Sequence, residues 1–187
     1  MAEFDKSFAR TLVLEGGYSD DPNDPGGKTR YGITEYDARQ HGYDGEMKDL
    51  PVEIAKKIYR ERYWDPIKGE EIGNQMIADE VFDTAVNCGV KTAGRFLQRS
   101  LNALFLYKGN EMYRKLVVDG VIGPKTLKAL DKYLDKRGYE ALLKTLNCLQ
   151  GNYYVILTES DRRGKKFATF FYGWITNRVD CGDKEGR

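Results

Sequence analysis

Apolar residues recur at helical spacing through most of this chain. The spacing of Phe4, Phe8 and Leu12 predicts a first helix that ends at Glu15, because two glycines follow as a C-terminal cap. A long apolar stripe from Leu142 to Ile156 predicts a buried helix. Helices are predicted over residues 52–63, 75–86, 92–106, 124–136, 139–158 and 165–175.

Strand patterns are scarce by comparison. Residues 19–27 are turn formers, residues 28–33 are typical of one short hairpin strand, and Thr34 begins a helix N-cap box. We therefore expect a mainly α fold with at most a small β-hairpin after the first helix.

Composition and charge narrow the class of protein. The 187 residues are 41% hydrophobic and 32% charged, which is globular composition. No apolar run is long enough for a membrane span, and residues 1–18 show no Sec signal peptide, so we expect synthesis in the bacterial cytoplasm without stable membrane insertion. Residues 1–92 carry a net charge of −7 and residues 93–187 a net charge of +8. The basic half suits an anionic polymer, nucleic acid or cell wall, although solvated helix faces also explain it.

The cysteine and histidine content of the sequence argues against a metal site and against a catalytic thiol. The three cysteines include no CxxC pair, and His41 is the single histidine. We expect no metal and no cofactor, and we assign acid–base chemistry to carboxylates.

Two carboxylates near the first turn fit glycoside hydrolysis, which needs a protonated acid and a second group that stabilises positive charge or activates water. Glu15 suits the first role, because the partial negative charge of a helix C-terminus is expected to raise the pKa of its carboxyl. Asp24, in a polar turn beside free glycine amides, is expected to stay ionised.

An ordered series of motifs extends this pattern. Glu15-Gly-Gly-Tyr18, Asp24-Pro-Gly-Gly-x-Thr29 and Tyr31-Gly-Ile-Thr34 resemble glycoside hydrolase family 108, lysozyme-like N-acetylmuramidases that include proteins labelled "secretion activator protein". Farther on, Tyr59-x-x-x-Tyr63-Trp64 and Phe82-Asp83-x-x-Val86-Asn87-x-Gly89 continue the resemblance. Phe96-Leu97-Gln98, Val118-Asp119-Gly120-x-Ile122-Gly123-Pro124 and Gly173-Trp174-x-x-x-Arg178 are similar to the peptidoglycan-binding domain usually attached to this family.

The resemblance implies that Glu15 is the catalytic glutamate. Glu15 and Asp24 also keep the nine-position step of T4-type phage lysozymes, whereas Thr29 falls one residue earlier than in that pattern. Asp24 and Thr29 are the other candidate catalytic residues. Asp83 is the alternative second group.

Substrate-binding candidates follow from sugar chemistry and helix spacing. Aromatic rings pack on the C–H faces of sugars, and Asp83 and Asn87 share one helix face that is interpreted as a cleft wall. Thr34 fits an N-cap better than a ligand. The substrate-binding candidates are Tyr18, Tyr31, Thr34, Trp64, Asp83 and Asn87.

The sequence therefore predicts a muramidase domain at residues 1–92, a helical peptidoglycan-binding domain at 93–180 and a polar tail at 181–187. The expected reaction is hydrolysis of the β-1,4 bond between N-acetylmuramic acid and N-acetylglucosamine by a phage or prophage endolysin. Peptidoglycan is the expected partner, and nucleic acid is not. Two alternatives stay open, a non-catalytic wall-binding or secretion-assisting protein and a nucleic-acid-binding protein, and the sequence favours neither retention nor inversion.

Overall fold

A computed structural model describes residues 1–15, 17–19, 27–105, 115–160 and 166–179. Helices dominate this part of the chain, with one small antiparallel sheet, and the predicted mainly α, lysozyme-like fold is confirmed. In chain order the elements are α1 (Phe4–Glu15), β1 (Tyr18–Ser19), β2 (Thr29–Arg30), β3 (Ile33–Thr34), α2 (Glu35–Gln40), α3 (Val52–Tyr59), α4 (Gln75–Cys88), α5 (Val90–Phe105), α6 (Pro124–Arg137), α7 (Glu140–Ser160) and α8 (Lys166–Arg178).

Local signals set the helix ends. The first helix ends at Glu15 as predicted. The Asn74 side chain accepts a 3.1 Å hydrogen bond from the amide of Ile77 and so begins α4, while Pro124 occupies the first turn of α6. The predicted helix at 52–63 is altered, since α3 passes at Arg60 into a π-helical turn that runs to Trp64.

The sheet has three strands where one hairpin strand was predicted. Tyr31 and Gly32 both have positive φ angles, 54° and 70°, and they form a two-residue turn that divides residues 28–33 into β2 and the start of β3. β1 adds a third strand on the other side of β2.

An aromatic cluster fixes α1 against α3 and α4. Phe4 contacts Trp64 and Phe82, with ring centroids 5.5 and 5.9 Å apart, and Phe8 contacts Tyr59 at 5.5 Å. Burying such rings away from water is the main stabilising term in a core of this kind. The first half of α1 is therefore held on a rigid base.

The hydrophobic core runs without interruption from the first half of the chain into the second. It includes residues of α1 and α4 together with Phe96 and Leu97 of α5 and Leu142 of α7. The boundary at 92/93 lies inside α5, and the two-domain division stays a prediction. The predicted tail, 181–187, lies outside the described residues. Within the described ranges, no helix has the length and apolar character needed to cross a bilayer.

A glutamine holds the turn that precedes α6. Gln98 accepts a 2.8 Å hydrogen bond from the amide of Gly120, and its side-chain nitrogen donates to Asp119 at 2.8 Å. Gln98 is 2% exposed, so its side-chain amide provides the hydrogen bonds that polar groups of this turn cannot obtain from water. This contact explains the Gln98 and Asp119-Gly120 motifs in structural terms.

Candidate active site

Glu15 is the last residue of α1, and β1 begins three positions later. The side chain of Glu15 lies outside the described part of the structure, whereas the helix end that carries it is described. A carboxyl at this place meets the partial negative charge of the helix terminus. The backbone therefore places the proposed acid at the junction between helix and sheet.

Contacts between α1 and α4 show how the first helix is oriented. The amide of Glu3 donates to Gln75 at 2.7 Å, and the Ser7 hydroxyl donates to Asp79 at 2.6 Å. Both pairs are separated by 72 positions, so the two helices run in the same direction. These contacts lie near the beginnings of the two helices.

The sheet presents a row of hydroxyl residues beside the end of α1. Ser19 pairs with Thr29, and Thr29 pairs with Thr34. Residues directly opposite one another on antiparallel strands project from the same face. Thr29 lies in the middle of this row and is half-buried. Ser19 was missed by the sequence analysis, and strand register is what reveals it.

Thr34 serves as the N-cap of α2. Its hydroxyl oxygen accepts a 3.1 Å hydrogen bond from the amide of Asp37 and donates to the carboxylate of the same residue at 3.0 Å. This geometry confirms the N-cap interpretation. The hydroxyl is thus engaged within the fold, and a role in substrate binding stays a prediction.

Tyr18 and Tyr31 flank the sheet. Tyr18 is 45% exposed and lies opposite Arg30 in the register of β1 and β2. Tyr31 is half-buried, its carbonyl accepts a 2.9 Å hydrogen bond from the Tyr59 hydroxyl, and the Arg30 guanidinium lies 4.9 Å from its ring centroid. Arg30 and Tyr59 were not among the predicted site residues. Both contacts depend on strand register and core packing, which the sequence does not show.

Asp24 lies outside the described residues. The described part of the site therefore consists of the end of α1, the hydroxyl row and the Arg30–Tyr31 pair.

Trp64 does not line a surface, and its prediction as a sugar contact is corrected here. Its side chain is 0% exposed, and its ring lies 5.6 Å from that of Phe82. A Cβ atom added at Gly69 would come within 2.3 Å of the indole. The π-helical turn directs Trp64 into the core, so this ring stabilises the fold.

Asp83 and Asn87 hydrogen-bond to each other, and Asp83 also bonds to the second half of the chain. Asp83 accepts hydrogen bonds of 2.6 Å from Arg178 of α8 and 2.9 Å from Gln150 of α7. Asn87 donates to the Asp83 carboxylate at 3.2 Å and to its carbonyl at 2.9 Å. The second half of the chain covers this face of α4, which explains why the stripe is polar without facing solvent. The assignment of Asp83 and Asn87 to a cleft wall stays a prediction.

Burial governs the electrostatics of this cluster. It raises the pKa of the Asp83 carboxyl, against the opposing effect of the Arg178 charge. Burial also raises the pKa of the neighbouring Cys88 thiol to about 12. A thiol of this kind stays protonated at neutral pH, so Cys88 has the properties of a small core residue.

A core of helices with a small antiparallel sheet beside it, and a glutamate at the end of the helix that leads into that sheet, define a lysozyme-like protein. Residues 8–89 match the family model described as glycosyl hydrolase 108, and residues 92–179 match the model described as predicted peptidoglycan domain. The first half of the chain belongs to glycoside hydrolase family 108, and the second half carries a peptidoglycan-binding domain. It is therefore a glycosidase that acts on peptidoglycan.

A solved structure supports the same assignment over nearly the whole chain. The structure described as "Structure of Brucella abortus SagA" is similar to this protein with a TM-score of 0.68 and 29% sequence identity. The similarity covers 94% of this chain and 88% of the other. No curated protein matched the chain.

Proposed function

We propose that the protein is an N-acetylmuramidase that hydrolyses the β-1,4 bond between N-acetylmuramic acid and N-acetylglucosamine. The observation that carries this proposal is the position of Glu15, at the end of α1 and directly before the sheet, within the stretch that matches the glycosyl hydrolase model. Glycoside cleavage requires a proton donor at the scissile bond and a second group that stabilises positive charge or activates water.

In the proposed reaction the Glu15 carboxylic acid donates its proton to the glycosidic oxygen, and the bond to the anomeric carbon breaks. Asp24 then stabilises the positive charge on the ring or positions the water that adds to it. Thr29, next to Ser19 and Thr34 in the hydroxyl row, is assigned to hydrogen bonding with water or sugar on the same side. Carboxyl separation distinguishes the outcomes, about 5–5.5 Å for retention and about 6.5–9.5 Å for inversion.

For its biological setting, we propose an endolysin of phage or prophage origin. The peptidoglycan-binding domain would hold the enzyme on the wall after release through a holin or a dedicated secretion route. Export with an intact, uncleaved N-terminus fits this idea. Strict retention in the cytoplasm would contradict it.

Digestion of purified peptidoglycan tests the proposed activity. The wild-type protein should release reducing muramic ends, and Glu15→Gln should abolish this release because a carboxamide is too weak an acid to protonate the glycosidic oxygen. Glu3→Gln is the matched control, since Glu3 is exposed at the opposite end of α1 and should keep wild-type activity. Sedimentation with sacculi without cleavage would instead indicate the non-catalytic wall-binding protein.

A further inference from the structure

Three aromatic rings of α7 and α8 form a stack that leads from the core to the surface. The ring centroids of Tyr154 and Trp174 lie 5.0 Å apart with an interplanar angle of 29°, and those of Trp174 and Phe170 lie 6.1 Å apart at 23°. Exposure to solvent increases along this aromatic stack. Tyr154 is 2% exposed, Trp174 is half-buried, and Phe170 is 53% exposed.

The inner end of the aromatic stack is held by the fold. Tyr154 packs against Tyr153 of the same helix, with ring centroids 6.4 Å apart. Four positions after Trp174, Arg178 donates its 2.6 Å hydrogen bond to Asp83 of α4. Trp174 is therefore placed between two buried contacts. A surface prepared in this way loses little further freedom when a ligand packs on it.

One face of α8 carries the exposed end of the aromatic stack. Phe170, Trp174 and Arg178 follow one another at intervals of four and so share this face. Tyr172 lies two positions from both aromatic residues, which places it on the opposite side of the helix, and it is 78% exposed. The helix thus presents two exposed aromatic side chains, of which Phe170 is stacked on a ring that the core holds in place.

The chemistry of the second half matches a carbohydrate that carries negative charge. The face of a sugar ring has C–H groups that pack on aromatic rings, while its hydroxyls stay in water. The aromatic stack belongs to the stretch that matches the peptidoglycan domain model. Positive charge complements an anionic polymer, and the sequence directly before and at the beginning of α8 contains four basic residues, Arg162, Arg163, Lys165 and Lys166.

We propose that the aromatic stack is a sugar-binding site of the second half, in which one pyranose ring of the glycan strand packs on Phe170 and Trp174. The neighbouring basic residues add attraction to the carboxylates of the muramyl sugars and their stem peptides. This inference rests on the proposed function, in which the second half holds the enzyme on the wall, and it assigns that binding to named side chains.

Sedimentation with sacculi tests the site in a Glu15→Gln background, which prevents digestion of the wall. Phe170→Ala should raise the dissociation constant about tenfold, a loss typical of truncating an aromatic anchor. Tyr172→Ala is the matched control, because it removes an exposed ring from the other side of α8, and it should stay within about twofold of the background protein. Phe170→Tyr keeps the ring and should retain most of the affinity.

Salt separates the two parts of the binding. Added salt screens the attraction between the basic residues and the glycan carboxylates, so every variant should bind more weakly. The packing of a sugar on an aromatic ring is not screened in this way. The difference between Phe170→Ala and its background should therefore persist at high salt.

Tryptophan fluorescence provides a second measurement that leaves Phe170 in place. The chain has two tryptophans, and Trp64 is 0% exposed in the core, whereas Trp174 is half-buried. Soluble glycan fragments should shift the emission to shorter wavelength, since a sugar displaces water from Trp174. Trp174→Phe keeps an aromatic ring and should remove the shift. A shift of the same size in Trp174→Phe would overturn the inference.

The sedimentation results have equally definite outcomes. Equal dissociation constants for Phe170→Ala and its background would overturn the inference, as would tighter binding of an oligonucleotide than of glycan. A dimer that dissociates in Phe170→Ala would assign the surface to a second copy of the chain instead. Binding that depends on Phe170 in a protein whose native form cleaves no glycan would refute the proposed muramidase and keep the inference. Thermal unfolding of each variant near the wild-type midpoint would show that the fold is intact.

Discussion

Arg178 in the last helix donates a 2.6 Å hydrogen bond to Asp83 in α4, and the two side chains are only 8% and 13% exposed. The pair joins the stretch that matches the hydrolase model to the stretch that matches the peptidoglycan domain. Removing one charge of such a buried pair is destabilising, because the remaining charge is still desolvated but has lost the attraction that offset this cost. Helix α8, in the second half of the chain, thus stabilises helix α4, in the first half.

Arg178→Met should reduce the free energy of unfolding by about 3–5 kcal/mol, because it leaves the Asp83 carboxyl buried without its cation. Adding Asp83→Asn to that variant should restore part of the loss. Urea denaturation measures both values. Lys6→Met, which breaks the exposed pair with Glu3, is the control and should cost less than about 1 kcal/mol. Equal losses in the Arg178 and Lys6 variants would contradict a buried role for the pair.

The sequence predicts what depends on neighbours along the chain. The end of α1 at Glu15 and the N-cap at Thr34 follow from local chemistry, two glycines in one case and a hydroxyl three positions before an acidic residue in the other. Helix spacing likewise shows that Asp83 and Asn87 share a face. Each of these features is decided within a few residues of the position concerned.

Contacts between distant residues are the part that the sequence does not predict. Asp83 receives its partners from 67 and 95 positions away, and no periodicity in α4 identifies what will cover its polar face. Trp64 has the chemistry of a sugar contact, and only its packing against Phe82 and Gly69 shows that it belongs to the core. The partners of the Tyr31 turn, Arg30 and Tyr59, depend in the same way on register and packing.

Cys88 should resist thiol reagents in the native protein. Burial raises the pKa of its thiol to about 12, so only about one molecule in ten thousand carries the reactive thiolate at pH 8. In a Cys181→Ser background, dithionitrobenzoate should modify the exposed Cys148 quickly and Cys88 only after denaturant is added. Modification of both thiols at similar rates without denaturant would show that the Cys88 thiol is not buried in the native protein.

The same pKa shift has a consequence for stability at alkaline pH. The folded protein holds the Cys88 proton more tightly than the unfolded chain does, so this group stabilises the fold fully below the ordinary thiol value of 9.0 and loses that contribution as the pH rises towards 12. The difference in unfolding free energy between wild type and Cys88→Ala, measured by urea denaturation, should therefore be smaller above pH 9 than below it.

Tyr59→Phe should loosen the turn that carries Tyr31. The change deletes the hydroxyl that donates to the Tyr31 carbonyl and leaves a ring of the same shape in the core, so we expect a loss of about 1 kcal/mol in unfolding free energy. Amide exchange near Gly32 should become faster. Tyr43→Phe removes a similar 2.8 Å bond, to the carbonyl of Glu46 at an exposed site, and should have the smaller effect on both measurements. Unchanged exchange at the turn in Tyr59→Phe would show that the hydroxyl does not restrain it.

Two glycines inside helices should respond in opposite ways to alanine. A Cβ at Gly94 would lie 2.2 Å from the carbonyl oxygen of Gly120, so α5 and the turn held by Gln98 would have to separate. Gly94→Ala should therefore cost about 1–3 kcal/mol of unfolding free energy. At Gly151 in α7 the nearest atom, on Val179, is 3.6 Å from the added Cβ, and the higher helix propensity of alanine should stabilise the protein by up to about 1 kcal/mol. Urea denaturation of both variants makes the comparison, and a Gly94→Ala protein as stable as Gly151→Ala would mean that α5 and the turn at Gly120 are not in contact in solution.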